Sequence, residues 1–468
     1  MENAKNFIMV IGSNILSLLS LLLVGFVLPK QLGVTGYAYY RVYSLYVGYA
    51  GFLHFGLVNG IYLKYGHCNK DELPVEKFRK FSRIMIGLQL AVAIVLAGIV
   101  LLMQGHLDQY TLVAYLFVAL NIPLINIKWF YSSINQFTKR FIIDSCVTLL
   151  QSGLIVGMVV AISVFGWYNY TIVLIITTVV NAVCMIMVML QNNALVFGTS
   201  REKVWQETGV LIKSGFFVML SEFVAIIILG IDSIFVQNLF TVTDFAMYSF
   251  AVSILTVIYA LISTVSNLIY PYLVRADSEK YGEYYSLMSD VLTVVSVLSM
   301  LAYYVAQFIV KKWLGEYEDS LGITAILFGT VVFRTLIMLV CGNYFKALKM
   351  IKEFTRNNVF AIIISFVTDL IAYLAFRNYY YIAIASLLSF IVWYVVTDHV
   401  FIKRLAIPLR GCTGRYLCII LCLTLFYGLL MMENTIVAFT IYMVGALAIC
   451  FACFYKQFVK LFQIIRGK

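Results

Sequence analysis

Charge is what this chain has least of. Only 12% of its 468 residues are Asp, Glu, Lys or Arg, about half the share of a soluble domain. Prolines number five and histidines four, and no Pro-, Gly- or Ser-rich stretch marks a disordered linker. A G-x-x-x-x-G-K-[ST] phosphate loop is absent, which argues against an ATPase activity of the chain's own. The longest polar segments, near 64–83 and 192–209, run to about twenty residues, too few for a soluble catalytic domain. Nine cysteines (Cys68, Cys146, Cys184, Cys341, Cys412, Cys418, Cys422, Cys450, Cys453) lie mostly within apolar runs or at their ends. Cys450 and Cys453 form a C-x-x-C with no histidine or carboxylate nearby and read as small core residues, not as a metal or redox site.

What fills the chain instead is hydrophobic residues, 63% of the total. A helix needs about 20 apolar residues to cross a hydrocarbon core of about 30 Å. Such runs occur at 7–28, 37–63, 84–103, 111–134, 142–165, 171–191, 210–237, 245–272, 287–310, 320–345, 358–376, 379–402, 416–431 and 435–455. The first is longer than a signal-peptide core and reads as a retained span. Basic residues alternate between the intervening segments. With the N-terminus in the cytoplasm, the inner segments hold 26 Lys and Arg and the outer ones only Lys30, Lys311, Lys312 and Arg377. That bias predicts a multi-pass protein with both termini cytoplasmic. It also accounts for the net charge of +11 without nucleic acid as a partner. Three cations are left inside spans: Arg41, Lys128 and Arg334.

Val34-Thr35-Gly36-Tyr37-Ala38-Tyr39-Tyr40 opens the second run and Val242-Thr243-Asp244-Phe245-Ala246-Met247-Tyr248 the eighth. Both read V-T-x-aromatic-A-x-Y, 208 residues apart with six helices between. An even number of helices preserves orientation, so the halves would be related by an axis along the membrane normal. The expected architecture is an all-α polytopic membrane protein of about fourteen transmembrane helices. Two pseudo-symmetric six-helix lobes, 1–195 and 196–403, would surround a central cavity, with two appended C-terminal helices in 404–468.

Residues 25–66 carry a further signal. Leu28-Pro29-Lys30-Gln31-Leu32-Gly33 and Gly60-Ile61-Tyr62-Leu63-Lys64-Tyr65-Gly66 resemble the N-terminal signature of Wzx-type flippases for lipid-linked oligosaccharides, polysaccharide exporters of the multidrug/oligosaccharidyl-lipid/polysaccharide (MOP) superfamily. Gly230-Ile231-Asp232-Ser233-Ile234-Phe235-Val236 with Tyr248-Ser249 resembles that family's second-half element, while Ala38 stands where many relatives repeat glycine. The resemblance implies a bacterial inner-membrane transporter, not an enzyme, with no cofactor. Its cargo would be an oligosaccharide on undecaprenyl diphosphate, moved from the cytoplasmic to the outer leaflet for surface polysaccharide such as O-antigen of lipopolysaccharide. Coupling would be to H⁺ or Na⁺, and the functional partners a polysaccharide polymerase and glycosyltransferases. A multidrug cation antiporter of the same superfamily is the alternative, and it would favour an acidic cavity. A membrane glycan polymerase or glycosyltransferase would present a large outer loop, whereas 104–110, 166–170 and 311–319 are short.

A charge at mid-bilayer costs at least about 2.5–3.5 kcal/mol on insertion scales and needs a partner or a wet cavity. Arg334 is the most central cation, and its planar fork suits a diphosphate. Its other reading is a salt bridge to Asp369 or Glu222. Arg41, among Tyr37, Tyr39, Tyr40 and Tyr43, either faces a cavity or snorkels to the interface. Lys128 has the same two readings, and the 208-residue offset maps it to position 336, beside Arg334. Substrate-binding candidates are therefore Arg41, Lys128, Arg334, Tyr37 and Tyr43. Ion-coupling candidates are the intramembrane carboxylates Glu222, Asp232 and Asp369. Asp144, Asp290 and Asp398 lie near cytoplasmic ends and read as interfacial, and His54 reads as a packing histidine.

Overall fold

The computed structural model describes residues 2–274 and 280–465, and every regular element among them is helical. The helices are α1 (Glu2–Leu22), α2 (Leu28–Val47), α3 (Leu57–Tyr65), α4 (Val75–Leu102), α5 (Gln109–Phe137), α6 (Phe141–Phe165), α7 (Tyr170–Gln191), α8 (Asn193–Val196), α9 (Trp205–Ile228), α10 (Ile231–Leu239), α11 (Val242–Val274), α12 (Tyr281–Ser299), α13 (Leu301–Trp313), α14 (Ser320–Thr335), α15 (Gly342–Ala347), α16 (Ile351–Phe376), α17 (Tyr379–Arg404), α18 (Leu409–Leu429) and α19 (Thr435–Ile465). Thirteen stretches of the described residues are long and apolar enough to cross a membrane. The first, Gly12–His54, is 43 residues long, about 65 Å as helix and twice a hydrocarbon core. It is broken at Gly33, whose φ of 64° and ψ of 176° are open essentially to glycine alone. Taking its two arms as separate crossings recovers the fourteen runs of the sequence.

The chain divides into two compact units, Met1–Gly230 and Ile231–Lys468. In the first, α1 packs on α6, α4 on α5, α5 on α7, and α3 on α9. The second crossing is not one helix. After α2 the chain makes a 3₁₀ turn at Ala50–His54, then passes through left-handed Phe55 (φ 51°) and Gly56 (φ 83°) into α3. Such a break frees backbone groups that hydrocarbon cannot satisfy. Side chains of neighbouring helices repair it. Asn126 donates to the Ala50 carbonyl and Gln89 to the Leu53 carbonyl, each at 2.9 Å, and the two amides also bond each other. His54 accepts the Gly56 N–H through Nδ1 at 3.1 Å, so it is the satisfied packing histidine that its setting suggested.

Helices α3 and α9 meet backbone to backbone. A Cβ at Gly60 would lie 2.0 Å from the Leu211 carbonyl oxygen, and one at Gly215 would lie 2.0 Å from that of Gly56. Small residues four apart let membrane helices approach this closely, and Gly56-x-x-x-Gly60 supplies them here.

In the second unit α14 is a central helix, packed on α11 and α17 and buried almost throughout. Helices α10 and α17 flank α16. The C-terminal hairpin of α18 and α19 attaches through α12 and α13. Two turns of π-helix interrupt the long helices, Leu23–Val27 in the first unit and Leu336–Cys341 in the second. Such widened turns re-aim the side chains around them and are frequent at functional sites.

Gly60→Leu is expected to push α3 off α9 and to cost at least about 1–3 kcal/mol, the usual penalty of overpacking. Gly87→Ala, where an added Cβ meets nothing within 4 Å, is the control. Thermal melting in detergent should fall for the first variant and hold or rise for the second; equal melting would show that the glycine crossing carries no stability.

Candidate functional site

The first unit carries Arg41 and Lys128. Arg41 follows the Gly33 break by two turns of α2 and is half-buried. The rings of Tyr37, Tyr40 and Tyr43 line the same helix, with successive centroids 6.3 and 6.4 Å apart. Tyr37 and Tyr43 are buried, and Tyr40 is close enough to Arg41 to feel its charge. Neither the Arg41 Nε nor the Tyr43 hydroxyl has a hydrogen-bond partner, though both atoms are buried. Lys128, on α5, is half-buried and donates to the neutral Gln151 side chain of α6 at 2.9 Å. Glu222 also belongs to this unit: it sits exposed on α9 and accepts from Asn59 Nδ2 at 3.0 Å.

The second unit carries Arg334 with Asp232 and Asp369. Arg334 sits one residue before the end of α14, just ahead of the π turn. Its guanidinium lies 3.4 Å from the ring centroid of Tyr259, a stacked cation–π contact. The Tyr259 hydroxyl is in turn 2.9 Å from that of Thr330. The salt bridge to Asp369 is not formed. Asp232 is buried at the start of α10, where Oδ2 accepts from the Tyr248 hydroxyl at 2.7 Å and from Ser386 at 3.3 Å. Asp369, on α16, is fully buried, and both its oxygens lack hydrogen-bond partners. It is within electrostatic reach of Asp232. The structure thus brings Asp232 and Asp369 together, with Glu222 in the other unit.

The ion pairs among the described residues are few: Lys64 and Lys77 with Glu207, and Arg415 with Asp290 and Asp398. None of Arg41, Lys128 and Arg334 has a carboxylate partner among them. Arg415 is the cation that sequence reasoning misplaced. Counted there with a cytoplasmic loop, it stands inside α18 with no exposed surface. Its Nε donates to Asp290 at 3.1 Å and its Nη1 to Asp398 at 3.2 Å. Asp290 and Asp398, read as interfacial, are buried too (3% and 0% exposed). The missed signal was their placement, each one or two turns inside a helix where a loop charge has no reason to be.

Three of the cysteines, read one by one from the sequence as core residues, lie together. Cys418, Cys422 and Cys450, all buried, bring their sulfurs within 4.8 Å of one another, so α18 contributes an i, i+4 pair to the cluster. Beside it, α18 and α19 frame an open groove of about 930 Å³ lined mainly by Leu417, Ile420, Leu421, Ile449 and Ala452.

Solved structures share this fold. Lipid II flippase MurJ, in an inward closed conformation, aligns with a TM-score of 0.65 at 14% identity, over 97% of this chain and 100% of its own. An inward-facing multidrug resistance MATE family transporter of the MOP superfamily aligns at 0.56 and 15% identity, over 84% and 94%. A MOP superfamily transporter from Pyrococcus furiosus, described by the reverse polarity of its binding pocket, aligns at 0.50 and 12%, over 86% and 96%. No family model and no curated protein sequence matches the chain. At such identities the likeness establishes the fold, a polytopic helical one common to flippases and transporters of that superfamily.

Arg415→Met would leave Asp290 and Asp398 without their cation. Breaking a buried pair in this way costs about 3–5 kcal/mol, so the variant is expected to melt well below the wild type in detergent, with Arg415→Lys between them. Wild-type melting of Arg415→Met would show that the pairs do not hold α18 in place.

Proposed function

We propose that this protein is a flippase that moves an undecaprenyl-diphosphate-linked oligosaccharide from the cytoplasmic to the outer leaflet of the bacterial inner membrane. Transport proceeds by alternating access, coupled to H⁺ or Na⁺, and serves surface polysaccharide such as O-antigen. Both termini are cytoplasmic in this reading, and the polymerase and glycosyltransferases that make and use the cargo are its partners in the pathway.

One observation carries the proposal. Arg41, Lys128 and Arg334 lie in apolar spans, yet among the described residues none has a carboxylate within ion-pair distance. An unneutralised intramembrane charge is expensive unless it meets a ligand or water, and three positive ones favour an anionic cargo over the cationic drug of the alternative. Guanidinium binds diphosphate oxygens in a planar, bidentate way, and the partnerless Nε of Arg41 has a donor to give. Tyr37 and Tyr43 add aromatic faces for sugar rings. The apolar groove of α18 and α19 has the character that an isoprenoid tail requires.

Ion coupling falls to Asp232 and Asp369. Two buried carboxylates near each other do not both stay ionised without a cation between them. A proton on one of them, or Na⁺ held with the oxygens of Ser386 and Tyr248, satisfies the pair. Glu222, exposed and bonded to Asn59, is the weaker candidate.

The test is flipping of a fluorescent undecaprenyl-diphosphate oligosaccharide in proteoliposomes. Losing one charge-assisted contact costs about 2 kcal/mol, roughly thirtyfold in affinity. Arg334→Gln is expected to weaken cargo binding by that order, and Arg334→Glu to abolish flipping while the protein still inserts. Flipping at the wild-type rate by Arg334→Glu, or transport of cationic dyes with none of the lipid, would overturn the assignment. Asp369→Asn should bind cargo normally but lose its response to an imposed H⁺ or Na⁺ gradient; a retained response would remove the pair from coupling.

A further inference from the structure

The C-terminal hairpin gathers thiols that the proposed transport cycle does not use. Cys418 and Cys422 stand one turn apart on α18, and Cys450 meets them from α19. All three are buried, at 0%, 0% and 2% exposed, and their sulfurs lie within 4.8 Å of one another. The Sγ atoms of Cys418 and Cys450 are 3.8 Å apart. Cys453, one turn beyond Cys450 and half-buried, is close enough to Cys418 to interact with it. Glycines on both helices allow the approach. A Cβ at Gly414 would lie 3.2 Å from the Cys453 carbonyl oxygen, and one at Gly445 would lie 2.5 Å from Leu425 Cδ2. Small residues of any kind permit such a crossing. Thiols converging on it from both helices are in addition a set of soft ligands.

Cysteine sulfur selects soft cations such as Cu(I) and Zn(II). Two sulfurs on one tetrahedral zinc, each bonded at about 2.3 Å, stand about 3.8 Å apart. The Cys418–Cys450 pair already has that spacing, and the other pairs of the three exceed it by no more than about 1 Å. We infer that Cys418, Cys422 and Cys450 form a binding site for one thiophilic metal ion, Cu(I) or Zn(II), which Cys453 completes at its mouth. The site is independent of the cargo proposed above. Cys453 lines the open groove framed by α18 and α19. It is three residues before Lys456, the first charge after the apolar run 435–455, so the polar end of the hairpin is the way in. Each thiol that binds as thiolate releases one proton as its metal–sulfur bond forms. Cu(I) displacing one proton, or Zn(II) displacing two, leaves the site neutral, with the other thiols as uncharged donors. Neutrality is what an apolar helix pair requires. The bound ion ties α18 to α19.

The test titrates purified full-length protein, reduced and stripped by chelator, with Cu(I) and separately with Zn(II) against a colorimetric chelator. One equivalent of either ion is expected to bind in the hairpin and to raise the melting temperature. Cys418→Ala/Cys422→Ala should lose both the equivalent and the rise. Cys68→Ala and Cys146→Ala, outside the hairpin, should keep them. X-ray absorption of the metal-loaded wild type gives a reading for which no variant has to fold. Its first shell is expected to hold at least three sulfurs, whereas an adventitious ion at a surface pair such as His67 and Cys68 would show nitrogen or oxygen. Absence of binding by both ions overturns the inference. So does binding that survives in Cys418→Ala/Cys422→Ala, or a first shell with fewer than three sulfurs.

Discussion

A polar group inside a bilayer has no water to turn to, and this constraint explains the parts of the structure that composition alone leaves arbitrary. The second crossing can be broken at Ala50–His54 because Asn126 and Gln89 take up the carbonyls that the break releases. Arg415 can sit without exposed surface because two carboxylates come to it from different helices. The same rule makes Arg334 informative. Its partner, the Tyr259 ring, offers a quadrupole and no counter-charge. Asp232 acts on it only from beyond ion-pair distance.

The two units repeat a motif without repeating its chemistry. Val34–Tyr40 follows the Gly33 break in α2, and Val242–Tyr248 opens α11. In the second copy Tyr248 holds Asp232. The residue 208 positions before Asp232 is Val24, and the one before Asp369 is Ala161, so the first unit has no counterpart of the acid pair. Arg334 maps onto Asn126, the residue that repairs the Ala50 carbonyl. The cation and the acid pair of the second unit are therefore features that the first unit does not repeat.

Hydropathy made the fold legible, since each crossing must by itself exclude polar backbone from lipid. It described the second crossing as one run, 37–63, because the break changes backbone direction without changing apolar character. Only Gly56 and His54 hinted at it. The close approach of α3 to α9 was equally hidden: Gly56 and Gly60 show a small-residue spacing, but their partner Gly215 lies 155 residues on from Gly60. For the site, Arg41, Lys128 and Arg334 stood out as exceptions to an alternating charge pattern. Arg415 did not, because its position agreed with that pattern. The pattern sorts cations by their place along the chain, and burial near a helix end is invisible to it. The thiols of Cys418 and Cys422 were likewise seen one by one, since their approach to Cys450 depends on the hairpin packing.

Burial alone therefore does not separate a structural charge from a functional one in this protein; charge balance does. Lys64 and Lys77 share Glu207 at the edge of a helix where solvent absorbs any excess. Deeper in, nothing absorbs it. Arg334 stacks on a neutral ring and feels Asp232 only from beyond ion-pair distance, and both oxygens of Asp369 lack hydrogen-bond partners, whereas Arg415 is met directly by two carboxylates. In the flippase reading proposed above, Arg334 is the group that meets an anionic cargo and the pair Asp232 and Asp369 the group that takes a proton or small cation, so the two charges of a coupled transport cycle fall to residues that the helices do not pair directly.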